Sequence, residues 1–210
     1  MLYRKLNRQL KKQRKEAGVE NIYLTFDDGV DSVYTPEILR VLKNYNVHAT
    51  FFVVAEFAKN NPKIIEMIKK DGHIIGLHSL SHKNEMFQTP GNIRKDFLES
   101  MELLKELGIK PKLFRPPWGH FSLAGIKEIK KLNFEVVLWN VIVGDWKANI
   151  ESKDIADRLL GETEKGDIIC LHDGRGKNNA PKRTVEALEM VIPIWKSQGF
   201  TFGTLEEIYE

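Results

Sequence analysis

Only one cysteine, Cys170, occurs in the 210 residues, which excludes an intramolecular disulfide framework. No stretch approaches the ~18 apolar residues that a bilayer span requires. After Met1-Leu2-Tyr3 the N-terminus turns basic and polar, without the apolar core of a secretory signal. The chain as written therefore reads as cytoplasmic, or as a mature or shortened form of something exported. No Ser/Gly/Pro-rich stretch, low-complexity run or internal repeat marks a linker, so one sizeable core is expected. No Gly-x-Gly-x-x-Gly follows the first apolar run, which removes support for a dinucleotide-binding sheet. No serine sits in a Gly-x-Ser-x-Gly elbow either.

Charge is present but unevenly spread. Residues 1–16 hold seven Lys/Arg and one Glu, which leaves 25 basic and 28 acidic residues for the rest. The sequence pI of 8.8 is thus set by the tail and not by the body. Leu2, Tyr3, Leu6 and Leu10 recur at three- and four-residue steps, the pattern of an amphipathic helix. Such a segment can pack on the domain, or contact a cell-wall polymer or a membrane surface. Nucleic acid is not expected as a partner, because aromatic interleaving and any recognised module are missing. The expected division is a basic tail or helix over 1–18 and one domain over 19–210.

Strand-like and helix-like segments alternate along that domain. Apolar runs at 22–26, 48–54, 73–77, 112–114, 134–140 and 167–171 read as strands, with a further extended stretch at 200–202. Helical patterns fall at 35–45, 62–70, 89–107, 122–132, 152–160 and 185–198. About seven strands, each followed by a helix, imply parallel strands with crossovers. The expected fold is α/β, a distorted, TIM-like (β/α) barrel. Catalytic groups of such barrels lie at the carboxyl ends of strands. Asp27, Asp28, His78, Arg115, Asp145 and His172 all follow apolar runs.

The run Tyr23-Leu24-Thr25-Phe26-Asp27-Asp28-Gly29 ends a buried segment on two adjacent carboxylates. Like charges side by side need a cation or a proton between them, although Asp-Gly after a strand is also a turn signal. In His78-Ser79-Leu80-Ser81-His82 the histidines stand at i and i+4, which on a helical turn places them on one face for a shared metal. One carboxylate of the pair completes a two-His, one-carboxylate set, suited to zinc, cobalt, nickel, manganese or iron. The other then remains free as a general base. Arg115 precedes a rigid proline pair and can clamp that free carboxylate. Asp145-Trp146 supplies an acid and a flat apolar wall, and His172 ends the run Ile168–Leu171. A histidine there can protonate a leaving group, tuned by Asp145.

In order and spacing, TFDDG, HSLSH, RPPWG, the Asp-Trp pair and Leu-His resemble the five motifs of the polysaccharide deacetylases, carbohydrate esterase family 4. The resemblance runs from about residue 21 to residue 208 and leaves out the basic tail. It implies metal-dependent hydrolysis of N- or O-acetyl groups on polysaccharides. The leading expectation is an N-acetylglucosamine deacetylase acting on chitin oligomers, peptidoglycan or poly-N-acetylglucosamine. The alternatives are an acetylxylan-type O-deacetylase and a deacetylase of a small or lipid-linked sugar. The resemblance implies Asp27 as base, and Asp28, His78 and His82 as ligands of one divalent ion. Zinc is the first choice, with cobalt, nickel and manganese as alternatives. It further implies that Arg115 orients the base, His172 is the general acid and Asp145 tunes it. Trp118 matches a position whose backbone N–H holds the oxyanion, and Trp146 and Leu171 match walls of the acetyl pocket. An extracellular or cell-surface location accompanies the family. One position departs from the pattern: Ile142 stands where the fourth motif often carries an acid.

Overall fold

The computed structural model describes Lys11 and residues 18–209. The basic tail therefore lies outside the described residues, apart from Lys11 and Gly18. Lys11 reaches Asp167 at 2.7 Å and Glu164 at 3.0 Å.

Seven parallel strands form one sheet: β1 (Tyr23–Asp27), β2 (Thr50–Val53), β3 (Ile74–Leu77), β4 (Leu113–Phe114), β5 (Glu135–Val136), β6 (Val141–Ile142) and β7 (Ile168–His172). Their order is β5-β4-β3-β2-β1-β7-β6. Helices α1 (Tyr34–Asn44), α2 (Ala55–Asn60), α3 (Pro62–Lys70), α4 (Pro90–Glu106), α5 (Leu123–Lys131), α6 (Ser152–Glu162) and α7 (Ala180–Ser197) connect them. This is the expected α/β architecture, a distorted barrel with short strands at its closing edge.

Local chemistry sets most boundaries. Thr89 caps α4 by accepting from Asn92 N–H, and Ser122 caps α5 by accepting from Gly125 N–H. Pro62 opens α3, where a missing N–H costs nothing. Helix α7 begins at Ala180, five residues before the predicted start, with Pro181 in its first turn. The short helix α2 follows β2 within two residues and interrupts what reads as a continuing apolar run.

The expected single strand at 134–140 is replaced by two short ones on opposite edges of the sheet. Val137 N–H donates to the carbonyl of Phe114, and Asn140 N–H donates to that of Ile168. Residues 135–142 thus run from the β4 side to the β7 side and close the ring. The predicted extended stretch at 200–202 contributes one bridge, Ile22 to Phe202.

Alternation along the strands sorts the side chains into two layers. Leu24, Phe26, Phe51, Val53, Leu77, Ile169 and Leu171 belong to the large core that includes the helices. Tyr23, Phe52, Leu113, Val137 and Ile168 form a second, smaller apolar cluster. Further along those same strand faces, toward the carboxyl ends, the residues become Thr25, Asp27, Arg115, Cys170 and His172.

Candidate active site

The β1–β7 register places Thr25 beside Cys170 and Asp27 beside His172. These four share one strand face, because residues two apart on a strand point the same way. Asp27, Cys170 and His172 line the floor of a cleft of about 930 Å³, whose rim includes Asp28, His78, His82, Trp118, His120, Ile142 and Trp146. Asp28 lies just past the strand end at φ 71°, a left-handed conformation that Asp tolerates. That turn separates the two neighbouring carboxylates. Gly29 follows because a Cβ there would stand 2.1 Å from the Asp173 carboxylate.

Asp27 is buried and firmly held. The Arg115 guanidinium donates to it at 2.7 Å, and also donates to Thr25 Oγ1 at 2.7 Å and to the Val137 carbonyl at 3.2 Å. Arg115 is fully buried and stacks over Phe52 at 4.1 Å. The Cys170 thiol donates to the other oxygen of Asp27 at 3.4 Å. Burial, with Asp27 adding, pushes this thiol up, so it stays protonated. Cys170 is buried yet touches the carboxylate at the cleft floor.

Asp28 has different neighbours. Its Oδ1 lies 3.3 Å from His78 Nε2 and 2.8 Å from His82 Nε2. His78 Nδ1 sits 2.7 Å from the Arg115 carbonyl, which can only accept, so Nδ1 carries the proton. His78 Nε2 therefore turns a lone pair toward an anionic oxygen. Burial opposes the charge on Asp28, but positive charge at the two histidines outweighs it and holds the carboxyl well below its usual range; a cation shared by neutral rings would supply the same charge. Asp28 Oδ1 is nonetheless buried with no hydrogen-bond partner, as is His82 Nδ1. One ligand atom from each of the three residues falls within 4.8 Å of the others. Lone pairs of neutral rings and a carboxylate oxygen gathered around one point repel unless a proton or a cation joins them. The donor set, N₂O with room on the cleft side, fits a divalent transition ion.

The expected helical arrangement of the two histidines is not how they meet. His78 directly follows β3, and Ser79 and His82 take φ of 82° and 54°, so a tight loop and not a helix face brings the rings together. Trp118 packs edge-on against His82, with centroids 4.4 Å apart.

Across the cleft, His172 Nδ1–H donates to Asp145 Oδ1 at 2.9 Å. The second Asp145 oxygen accepts from the His172 backbone N–H at 2.8 Å and from Thr184 Oγ1 at 3.0 Å. Nε2 of His172 is thereby left to the cleft. Burial opposes its protonation, but Asp145 outweighs burial, with Asp28 and Asp27 adding, and the ring is pushed up to about 9. Trp146 packs edge-on against it at 4.9 Å.

Ten sequence-predicted residues divide in this way. Asp27, Asp28, His78, His82, Trp118, Trp146 and His172 line the cleft. Arg115 and Asp145 stand behind it, each bonded to one of the liners. Leu171 is fully buried in the helix-side core, because strand alternation turns it away from Cys170 and His172. The placement of Leu171 thus does not support its expected role as a pocket wall. Asp173 does not orient His172; it accepts from Thr35 Oγ1 at 2.6 Å and ties the loop after β1 to β7. Trp139 and His120 line the cleft, and Ile142 adds an apolar patch to it. Sequence reasoning missed Thr25 and Thr184. Thr25 lies two residues before Asp27, so period-two alternation was the available signal. Thr184 lies one helical turn into α7 and carries no local signal.

Comparison with known proteins agrees with this geometry. The family model for polysaccharide deacetylases matches residues 14–137. The chain is 34% identical to a peptidoglycan-N-acetylglucosamine deacetylase of Bacillus cereus, over 89% of this chain and 87% of that protein. It is 37% identical to a peptidoglycan-N-acetylmuramic acid deacetylase of Bacillus subtilis, over 90% of this chain and 71% of that one. Among solved structures, a family 4 acetyl xylan esterase from Clostridium thermocellum in complex with a cobalt ion superposes with a TM-score of 0.82. That pair shares 33% identity over 90% of each chain.

Proposed function

This chain belongs to the polysaccharide deacetylase family, and from that premise we propose that it hydrolyses N-acetyl groups of N-acetylglucosamine-containing polysaccharide, peptidoglycan first among them. Residues 19–210 act as the catalytic domain and 1–18 as an appended basic segment. The observation that carries the reading is the pairing of two sites across one cleft. Asp28, His78 and His82 converge on one point, opposite Asp27–Arg115 and His172–Asp145.

Asp28, His78 and His82 hold one divalent ion, zinc first, which when bound supplies a Lewis acid beside the acetyl carbonyl. Arg115 pairs with Asp27 and holds it in place at the cleft floor. Asp27 takes a proton from the attacking water as its oxygen bonds to the acyl carbon. A backbone N–H at Trp118 donates to the developing oxyanion. Asp145 holds His172 with Nε2 toward the cleft, and His172 protonates the nitrogen as the C–N bond breaks. The products are a free amine and acetate. Trp118 and Trp146 supply flat walls for sugar rings.

The test is acetate release from peptidoglycan, from N-acetylglucosamine oligomers and from acetylated xylan. It uses metal-stripped protein with zinc or cobalt added back. Ion-dependent release that falls about 10²- to 10⁴-fold in Asp27→Asn supports the reading. Release from xylan alone would move it to O-deacetylation, for which the likeness to the xylan esterase is the supporting observation. No release from any glycan by ion-loaded protein would overturn it.

A further inference from the structure

The mechanism above leaves three cations on one wall of the same cleft unused: Lys147, Arg175 and Lys177. All three are exposed. Among the described residues, neither Lys147 nor Lys177 forms an ion pair. The carboxylates that line the cleft, Asp27 and Asp28, already face Arg115 and the two histidines. Arg175 comes no closer than 3.9 Å to Asp28. Among the described residues, the wall's two lysines thus have no ion-pair partner and Arg175 has only the 3.9 Å contact to Asp28.

The wall is also built. Arg183 reaches from α7 and donates to the carbonyls of Lys147 at 2.7 Å and Lys177 at 3.1 Å, and to that of Asn178. Lys177 N–H donates to the Trp146 carbonyl at 3.4 Å. The chain between them packs too tightly for a side chain at Gly176, where φ is 81° and a Cβ would lie 2.6 Å from that of Ala180. Arg175 itself is held at φ 58°. One arginine therefore fixes both lysine-bearing loops beside Trp146, which packs on His172.

We propose that Lys147, Arg175 and Lys177 form a subsite for an anionic group, a carboxylate or a phosphate, on the glycan beside the acetylated sugar. This deepens the function proposed above and rests on it. A neutral chitin-type chain has nothing to offer this wall. A sugar bearing an acidic substituent would form charge-assisted hydrogen bonds there.

The experiment is calorimetric binding to the full zinc-loaded chain carrying Asp27→Asn, which prevents turnover. Three tetrasaccharides are compared: neutral chitotetraose, an alternating N-acetylglucosamine/N-acetylmuramic acid chain, and a 6-phosphorylated chitotetraose. The expected result is about tenfold tighter binding of an acidic ligand than of the neutral one. That preference should shrink with added salt. It should vanish in the combined Lys147→Ala, Arg175→Ala, Lys177→Ala variant but persist in Lys69→Ala, Lys112→Ala at the opposite end of the strands. A gain for only one acidic ligand identifies the group read. Equal binding of all three, or a preference that survives the triple variant, overturns the subsite. An acidic preference in a protein that releases no acetate would keep the subsite and sink the deacetylase reading.

Discussion

Asp28 and Asp145 are both carboxylates facing histidines in one cleft, yet their surroundings are opposite. Asp145 is fully buried and satisfied: one oxygen takes the His172 ring N–H, and the other takes the His172 backbone N–H and the Thr184 hydroxyl. Asp28 meets two histidine nitrogens, one of which has its proton fixed on the far side of the ring. The first arrangement is complete within the protein. The second leaves a place that a cation fits. Asp27 belongs with the satisfied group, since Arg115 neutralises it on the inner side of β1. Saturated partners preorganise groups that move protons, and unsatisfied donors make a place for a ligand.

Removing a member of the unsatisfied corner should have the largest effect. His82→Ala takes away one of three donors and no member of the apolar core. Bound zinc should fall from about one ion per chain toward none, and acetate release should fall to background with the fold retained. Elemental analysis beside circular dichroism checks both. Full zinc occupancy in the variant would remove His82 from the ligand set.

In the satisfied corner the cost appears as stability. Arg115→Met leaves Asp27 buried without its counter-charge, a loss of about 3–5 kcal/mol. Urea unfolding of ion-free protein measures it. A loss below about 1 kcal/mol would mean that water reaches Asp27.

Asp145→Asn probes the same corner through pH. In the proposed mechanism His172 acts as an acid only while protonated, and Asp145 is the partner that raises it to about 9. Removing that charge lowers the ring's pKa, so the alkaline limb of kcat/KM should move to lower pH. A bound divalent ion opposes protonation too, so in loaded protein the limb starts below 9. An unmoved limb in Asp145→Asn would show that another group sets it.

Legibility in the sequence follows the same divide. Strand ends were readable because buried parallel strands are continuous apolar runs, and charged residues at their ends stand out. Asp27, His78, Arg115 and His172 were visible for that reason. The two-strand split of residues 134–140 was not, because ring closure depends on which edges the curled sheet brings together. The four-residue spacing of His78 and His82 was informative about proximity and misleading about conformation, since left-handed Ser79 and His82 replace a helical turn. Leu171 sits one step of alternation away from the cleft-facing Cys170 and His172. The same alternation would have found Thr25 and Cys170. Arg183, which joins two loops through their carbonyls, leaves no trace in a local pattern.

The smallest effect separates a contact that matters from one that fills space. Cys170 stands two residues before His172 and opposite Thr25, so it closes the floor between Asp27 and His172, the proposed base and acid. Its thiol donates to Asp27 at 3.4 Å, beside the much shorter Arg115 contact at 2.7 Å. Burial keeps the thiol protonated, so it brings a weak donor and no charge. Cys170→Ala should therefore reduce kcat/KM by less than about tenfold, in line with one weak hydrogen bond of about 1 kcal/mol. Steady-state acetate release across pH reads the change. If the loss instead approached that of Asp27→Asn, Arg115 alone would not be enough to aim the base, and the thiol would count among its positioning groups.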